Sequence, residues 1–151
     1  MMTYKDVMEL EGYLFLEEIK EPSVNDVTVV VRRAVVQSQS EDVTIDDVMV
    51  SDVFPIEVDV GLPAIEIQFA SYVFYAVNNE SFYAAMEGEE HKGKAVRIVE
   101  KSTLLPFVLE RSIAQEVYAD KEMAHYQMAC LDHIIDIISF DVPVIVEKSN
   151  L

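Results

Sequence analysis

After the break at Gly61-Leu62-Pro63, side chains alternate at period 2 for longer than one flat strand allows. Ile65, Ile67, Phe69, Ser71, Val73, Tyr75 and Val77 fall on one face of Ala64 to Asn78, and Glu66, Gln68, Ala70, Tyr72, Phe74 and Ala76 on the other. The second face is polar in its first half and apolar in its second, so the segment leaves one environment and enters another. Strands usually run for about 3–10 residues, which places a bend near Ala70-Ser71. A chain built around such a segment predicts an α+β fold: a mostly antiparallel, strongly bent β-sheet or partly open barrel with one or two helices.

The flanking segments agree. Gly12 to Glu21 is aromatic and aliphatic with no helix start signal, and Pro22 to Asp26 reads as a turn into a second strand, Val27 to Gln37, completing a hairpin. In that strand Val29, Val31 and Val35 oppose Val30, Arg32, Ala34 and Val36. Residues 41–59 mix acids with Val and Ile, which predicts strand and loop packed on the core, with Pro55 at an edge or bulge. Asn78 to Ser81 turns the chain, Glu87 to Gly93 reads as a polar loop, and Ala95 to Glu100 as a short strand. Ser102 or Thr103 ahead of Pro106, followed by Val108, Leu109 and Ile113, predicts a helix over about Leu104 to Val117. His125 to Phe140 fits both a helix and a strand period. The Ile-Ile-Asp-Ile-Ile-Ser-Phe run favours strand, paired as a hairpin with Val144 to Val146 across the break at Asp141-Val142-Pro143. No internal repeat is visible, and 151 residues predict a single domain, 1–151.

Charge bears on partners rather than on fold. The chain carries 28 acids against 11 Lys and Arg, a net charge of −17, yet is 51% hydrophobic. That much apolar material builds a core, so the acids belong to the surface of a folded domain. Such a surface repels nucleic acid and anionic membrane and attracts basic proteins. Residues 41–59 are the extreme case, with Glu41, Asp42, Asp46, Asp47, Asp52, Glu57 and Asp59 and no Lys or Arg. These seven are the expected contact set for a basic protein partner. A single cysteine, Cys130, and no CxxC motif predict a cytoplasmic protein. Met1 to Glu11 carries acids where a signal peptide needs a basic start and an apolar run. The uncharged stretch Ile67 to Val77 is about half the roughly 20 residues of a membrane-spanning helix, so no membrane span is expected.

No catalytic signature stands out. His125, Cys130, Asp132, His133 and Asp136 lie within twelve residues and are of metal-binding types. Neither HExxH nor CxxC accompanies them, and a metal enzyme using His125 and His133 ranks third among the readings. The favoured interpretation is a partly buried His–Asp hydrogen bond in a polar ladder, with no metal and no cofactor. Ser71, Ser102, Ser112 and Ser139 lack a GxSxG setting, Cys130 sits inertly in an apolar run, and there is no glycine-rich phosphate loop. The acids do not follow a calcium-loop pattern. The expected function is therefore non-enzymatic binding. The alternative to a basic protein partner is a small-molecule or peptide binder, with an apolar pocket in the bent sheet at Tyr72, Phe74 and Phe82. A long edge strand over Ala64 to Asn78 also leaves pairing of two copies open.

One resemblance bears on this reading. It is carried by Tyr75-Ala76-Val77-Asn78-Asn79-Glu80-Ser81-Phe82, then Gly93, Lys101-Ser102 and Leu104-Leu105, then His125-Tyr126 and Cys130 to Ser139 ahead of Pro143. Over roughly the C-terminal half, this spacing resembles a group of small uncharacterised bacterial proteins, and some similar acidic proteins serve as immunity partners of secreted polymorphic toxins. The resemblance implies a single bacterial domain without enzymatic activity, and it assigns no functional residue.

Overall fold

The computed structural model describes residues 1–149. Two open, bent antiparallel sheets make up most of it, with three short helices, and the sheets do not close into a barrel. The chain begins with α1 (Tyr4–Met8), which the sequence reading missed. A reciprocal capping box starts it: Asp6 N–H donates to the Thr3 hydroxyl, and the Asp6 carboxylate accepts from Thr3 N–H.

The first sheet runs β1 (Leu14–Lys20), β2 (Val27–Val36), β6 (Ala64–Phe69), β12 (Val144–Lys148), with β5 (Ile56–Val58) on the far end of β2. The second runs β7 (Tyr72–Asn79), β11 (His133–Ser139), β10 (Ala124–Ala129), β9 (Val96–Glu100), β8 (Glu90–Gly93). Strands β3 (Glu41–Ile45) and β4 (Val48–Val53) form a separate two-stranded ribbon.

The bend expected at Ala70-Ser71 is where the chain passes from one sheet to the other. Ser71 adopts φ +61°, which ends β6 and re-aims the chain into β7. The long period-2 run is thus two strands in two sheets. β6 is an inner strand and only β7 is an edge, so the surface for pairing copies shrinks to the second half of the segment.

The core lies between the sheets. Val27, Val29, Val31, Ile65, Ile67, Phe69 and Ile145 of the first meet Val96, Tyr126, Met128, Ile135 and Ile137 of the second. A smaller cluster joins α2 (Leu104–Arg111) through Val108 to Met123, Ile138 and Phe74.

Several expectations are corrected. Residues 125–140 are strand as expected, but as two strands: β10 and β11 form a tight hairpin closed by Cys130 N–H to the His133 carbonyl at 2.8 Å. Val144–Lys148 pairs not with that hairpin but with β6, because Asp141 to Pro143 carries the chain across to the first sheet. The predicted Leu104 to Val117 helix breaks into α2 and α3 (Ala114–Val117), since Ser112 is extended and its hydroxyl accepts from Ala114 N–H. The polar loop 87–93 contributes β8, whose pairing with β9 needs no apolar side chains of its own. Residues 41–59 are strand and loop, yet the ribbon does not pack on the core: it pairs only with itself and most of its side chains are exposed.

Candidate functional site

The ribbon is built by its turn. Ile45 pairs with Val48, and the two residues between them, Asp46 and Asp47, sit at φ +48° and +64°. A two-residue loop with both φ positive twists with its strands, and aspartate tolerates that region better than most side chains. Cross-strand pairs Ile45–Val48 and Val43–Val50 then share one face. With no second layer over them, Ile45 and Val48 are 58% and 62% exposed. The tip thus presents two carboxylates ahead of an uncovered apolar face.

The other predicted acids divide between ribbon and base. Glu41, Asp42 and Asp52 lie on β3 and β4, and Asp52 N–H donates to the Asp42 carboxylate at 3.4 Å. Glu57 is on β5, where it accepts from the Gln37 amide at 3.2 Å, and Asp59 accepts from Gly61 N–H at 3.0 Å. Five of the seven therefore share the ribbon, and two flank its root. No Lys or Arg occurs between Arg33 and Lys92 to offset them.

Tyr72, Phe74 and Phe82 are not brought together. A bulge sets Ile138 opposite Phe74 and Ser139 opposite Tyr72, leaving Val73 as the extra residue. Tyr72 consequently stacks edge-on against Tyr75, at 5.2 Å, and donates to Glu21 at 2.5 Å. That carboxylate holds the phenol proton and pushes the Tyr72 pKa up to about 12. Phe74 packs in the α2 cluster, and Phe82, in the turn after β7, is 86% exposed.

A buried polar ladder crosses the outer face of the second sheet. The Asp136 carboxylate, at its centre, faces His125 Nε2 at 2.7 Å and accepts from Gln127 Nε2 at 2.9 Å and Asn78 Nδ2 at 2.8 Å. The other ring nitrogen of His125, Nδ1, meets Ser102 Oγ at 2.7 Å. Gln127 continues the ladder, donating to the Tyr83 hydroxyl at 3.0 Å and accepting from Arg97 Nε at 2.8 Å. The expected His–Asp hydrogen bond is present, in a larger network.

Compared with known proteins, the chain matches no family model, no curated protein and no solved structure.

A serine, an imidazole and a carboxylate in series have the order of a hydrolytic relay. Here the serine oxygen, besides meeting His125, accepts Leu105 N–H at 3.0 Å and so caps α2. His125 is only 4% exposed, and the cavity of about 90 Å³ beside the ladder is lined by Tyr83, Arg97 and Gln127 rather than by Ser102. The ladder fastens α2 and the Tyr83 segment to the sheet.

The five metal-type residues of 125–136 also separate. His125 lies opposite Ile138, whereas His133 stands at the other end of β11, opposite Asn79. Cys130 belongs to the core between the sheets. Among the described residues no group of three or more His, Cys, Asp or Glu could hold a metal ion. Burial pushes the Cys130 thiol up to about 12, so at pH 8 it is protonated and enclosed. Native protein is expected to leave Cys130 unmodified by Ellman's reagent, with one thiol appearing on unfolding in guanidinium; a fast native reaction would contradict this packing.

Sequence reading marks His125 and Asp136, and takes Ser102 as a helix-cap candidate without linking it to them, but misses the part of Asn78, Tyr83, Arg97 and Gln127 in the ladder. A signal existed in β10 and β11: His125 and Gln127 alternate with apolar residues, and Asp136 is the one polar residue in Ile134 to Ile138. Polar side chains at alternate positions of strands with apolar neighbours need partners on the same face.

Proposed function

We propose that this chain is a non-enzymatic, cytoplasmic binding protein that engages a basic protein partner through the β3–β4 ribbon, with toxin immunity as the sharpest form of that role. The observation that carries it is the ribbon: an uncovered apolar face with Asp46 and Asp47 at its tip and Asp42 and Asp52 on its strands. The apolar face supplies burial on association, and the acids set the sign of the partner. Two ribbons facing each other would juxtapose like charges, which disfavours self-association through this element. No helix among the described residues is long and apolar enough to cross a membrane, which fits a partner met in solution.

The test compares Asp46→Lys/Asp47→Lys with a control, Glu110→Lys/Glu122→Lys, that changes net charge equally at exposed sites off the ribbon. Immobilised wild type is expected to retain one basic protein from lysate of the encoding organism, at near-stoichiometric amount and less at higher salt. The tip variant should slow association with that protein about tenfold or more at low ionic strength, while the control stays near wild type. Equal rates for all three would sink the assignment.

A further inference from the structure

A two-stranded ribbon has two edges, and the β3–β4 ribbon pairs with no other strand along either of them. Its two-residue loop at Asp46-Asp47 makes Ile45–Val48 a hydrogen-bonded pair, so by alternation Val43–Val50 is another and Thr44–Met49 is not. The N–H and C=O groups of Thr44 and Met49 therefore point outward, one set from each edge. Both residues are exposed, and neither makes a backbone hydrogen bond elsewhere among the described residues.

The two edges differ. On β4, Ser51 and Asp52 together oppose Asp42, with Asp52 at φ +57°, and Pro55 follows soon after the strand ends. A bulge and a proline are both devices that stop a further strand from pairing. β3 has neither. Its guard is charge: Glu41 and Asp42 on the strand, with Asp46 and Asp47 just past it, repel a second copy of this edge and attract a basic strand. Side-chain direction adds a pattern, because Val43 and Ile45 lie on one face of β3 and Asp42 and Thr44 on the other. A strand alternating apolar and basic residues extends the apolar face and sets its cations on the Asp42 side.

We propose that the partner engages this protein by strand addition, laying an extended segment of alternating apolar and basic residues along the free edge of β3. The assignment rests on the ribbon being the contact surface, and a partner held through side chains alone would leave that surface standing.

The probe is a fluorescein-labelled, acetylated seven-residue peptide alternating Lys and Val. Its control is the same peptide N-methylated along the backbone, which keeps every charge and side chain but donates no backbone hydrogen bond. Fluorescence anisotropy at low salt is expected to show saturable binding of the first peptide and at least about tenfold weaker binding of the second. Thr44→Pro removes the outward N–H of β3 and Met49→Pro that of β4; neither N–H serves the ribbon's own ladder, so both variants should keep the wild-type circular dichroism. Thr44→Pro should weaken the first peptide about tenfold, and Met49→Pro less than about twofold. Three results overturn the proposal: no saturable binding of the first peptide, equal binding of the two peptides, or equal effects of the two prolines. A wild-type dimer in sedimentation that Thr44→Pro dissociates would give the edge to a second copy instead. If Asp46→Lys/Asp47→Lys slows association with the basic protein retained from lysate while Thr44→Pro leaves it unchanged, strand addition fails and the ribbon remains the contact surface. If neither variant alters that association, both assignments fail.

Discussion

Asp136→Ala is expected to destabilise the protein by about 3 kcal/mol, more than any other single truncation of a polar side chain here. The carboxylate is the shared partner of His125, Gln127 and Asn78. Its removal leaves buried polar groups underpaired, at about 1–3 kcal/mol for each fully orphaned group. Gln127 keeps Tyr83, and Asn78 keeps the Ile134 carbonyl, so the loss concentrates on His125 Nε2. For a chain of this size the expected fall in Tm is about 6–12 °C. Ser102→Ala should cost about 1 kcal/mol as a lost helix cap. Because both residues act through His125, the double variant should depart from additivity by about 0.5 kcal/mol or more. Thermal denaturation of the four proteins checks this, and an Asp136→Ala variant within 0.5 kcal/mol of wild type would mean that the ladder contributes little to stability.

The second large effect is Phe69→Ala, at about 3–5 kcal/mol. Phe69 is 1% exposed, ends β6, and its ring lies 5.2 Å from that of Tyr126 in the opposite sheet. It therefore joins the two sheets at the point where the chain leaves one for the other, and its removal opens a cavity between rigid layers. Ile45→Ala supplies the contrast. Ile45 is as apolar by type but stands uncovered on the ribbon, so its truncation should stay within about 0.5 kcal/mol of wild type. Denaturant unfolding of both variants separates the core from the interaction surface. A comparable cost at the two positions would show that the ribbon is packed after all.

Period-2 alternation and β-branched runs were enough to read most strands and the antiparallel α+β class, because side-chain alternation is a local property of extended chain. The bend at Ala70-Ser71 was legible for the same reason: polarity on one face changes there within the sequence. What alternation does not encode is which strand lies beside which. Val144–Lys148 looked like the partner of the strand just before it, and the competing option, β6, lies more than seventy residues earlier. The bulge at Val73 was likewise invisible, and it alone placed Tyr72 beside Tyr75 instead of Phe74.

The same division holds for function. Charge sign, the seven acids of 41–59, and the lack of any Lys or Arg from 34 to 91 belong to the amino-acid sequence itself. Only the tertiary structure decided that five of those acids ride on a ribbon that pairs only with itself, and that His125 and Asp136 meet while His133 stands apart. Those outcomes depend on pairing between distant segments and on which surfaces remain without a second layer. Composition and local periodicity record what each segment can bury; the packing of the two sheets determines what is buried and what is left to bind.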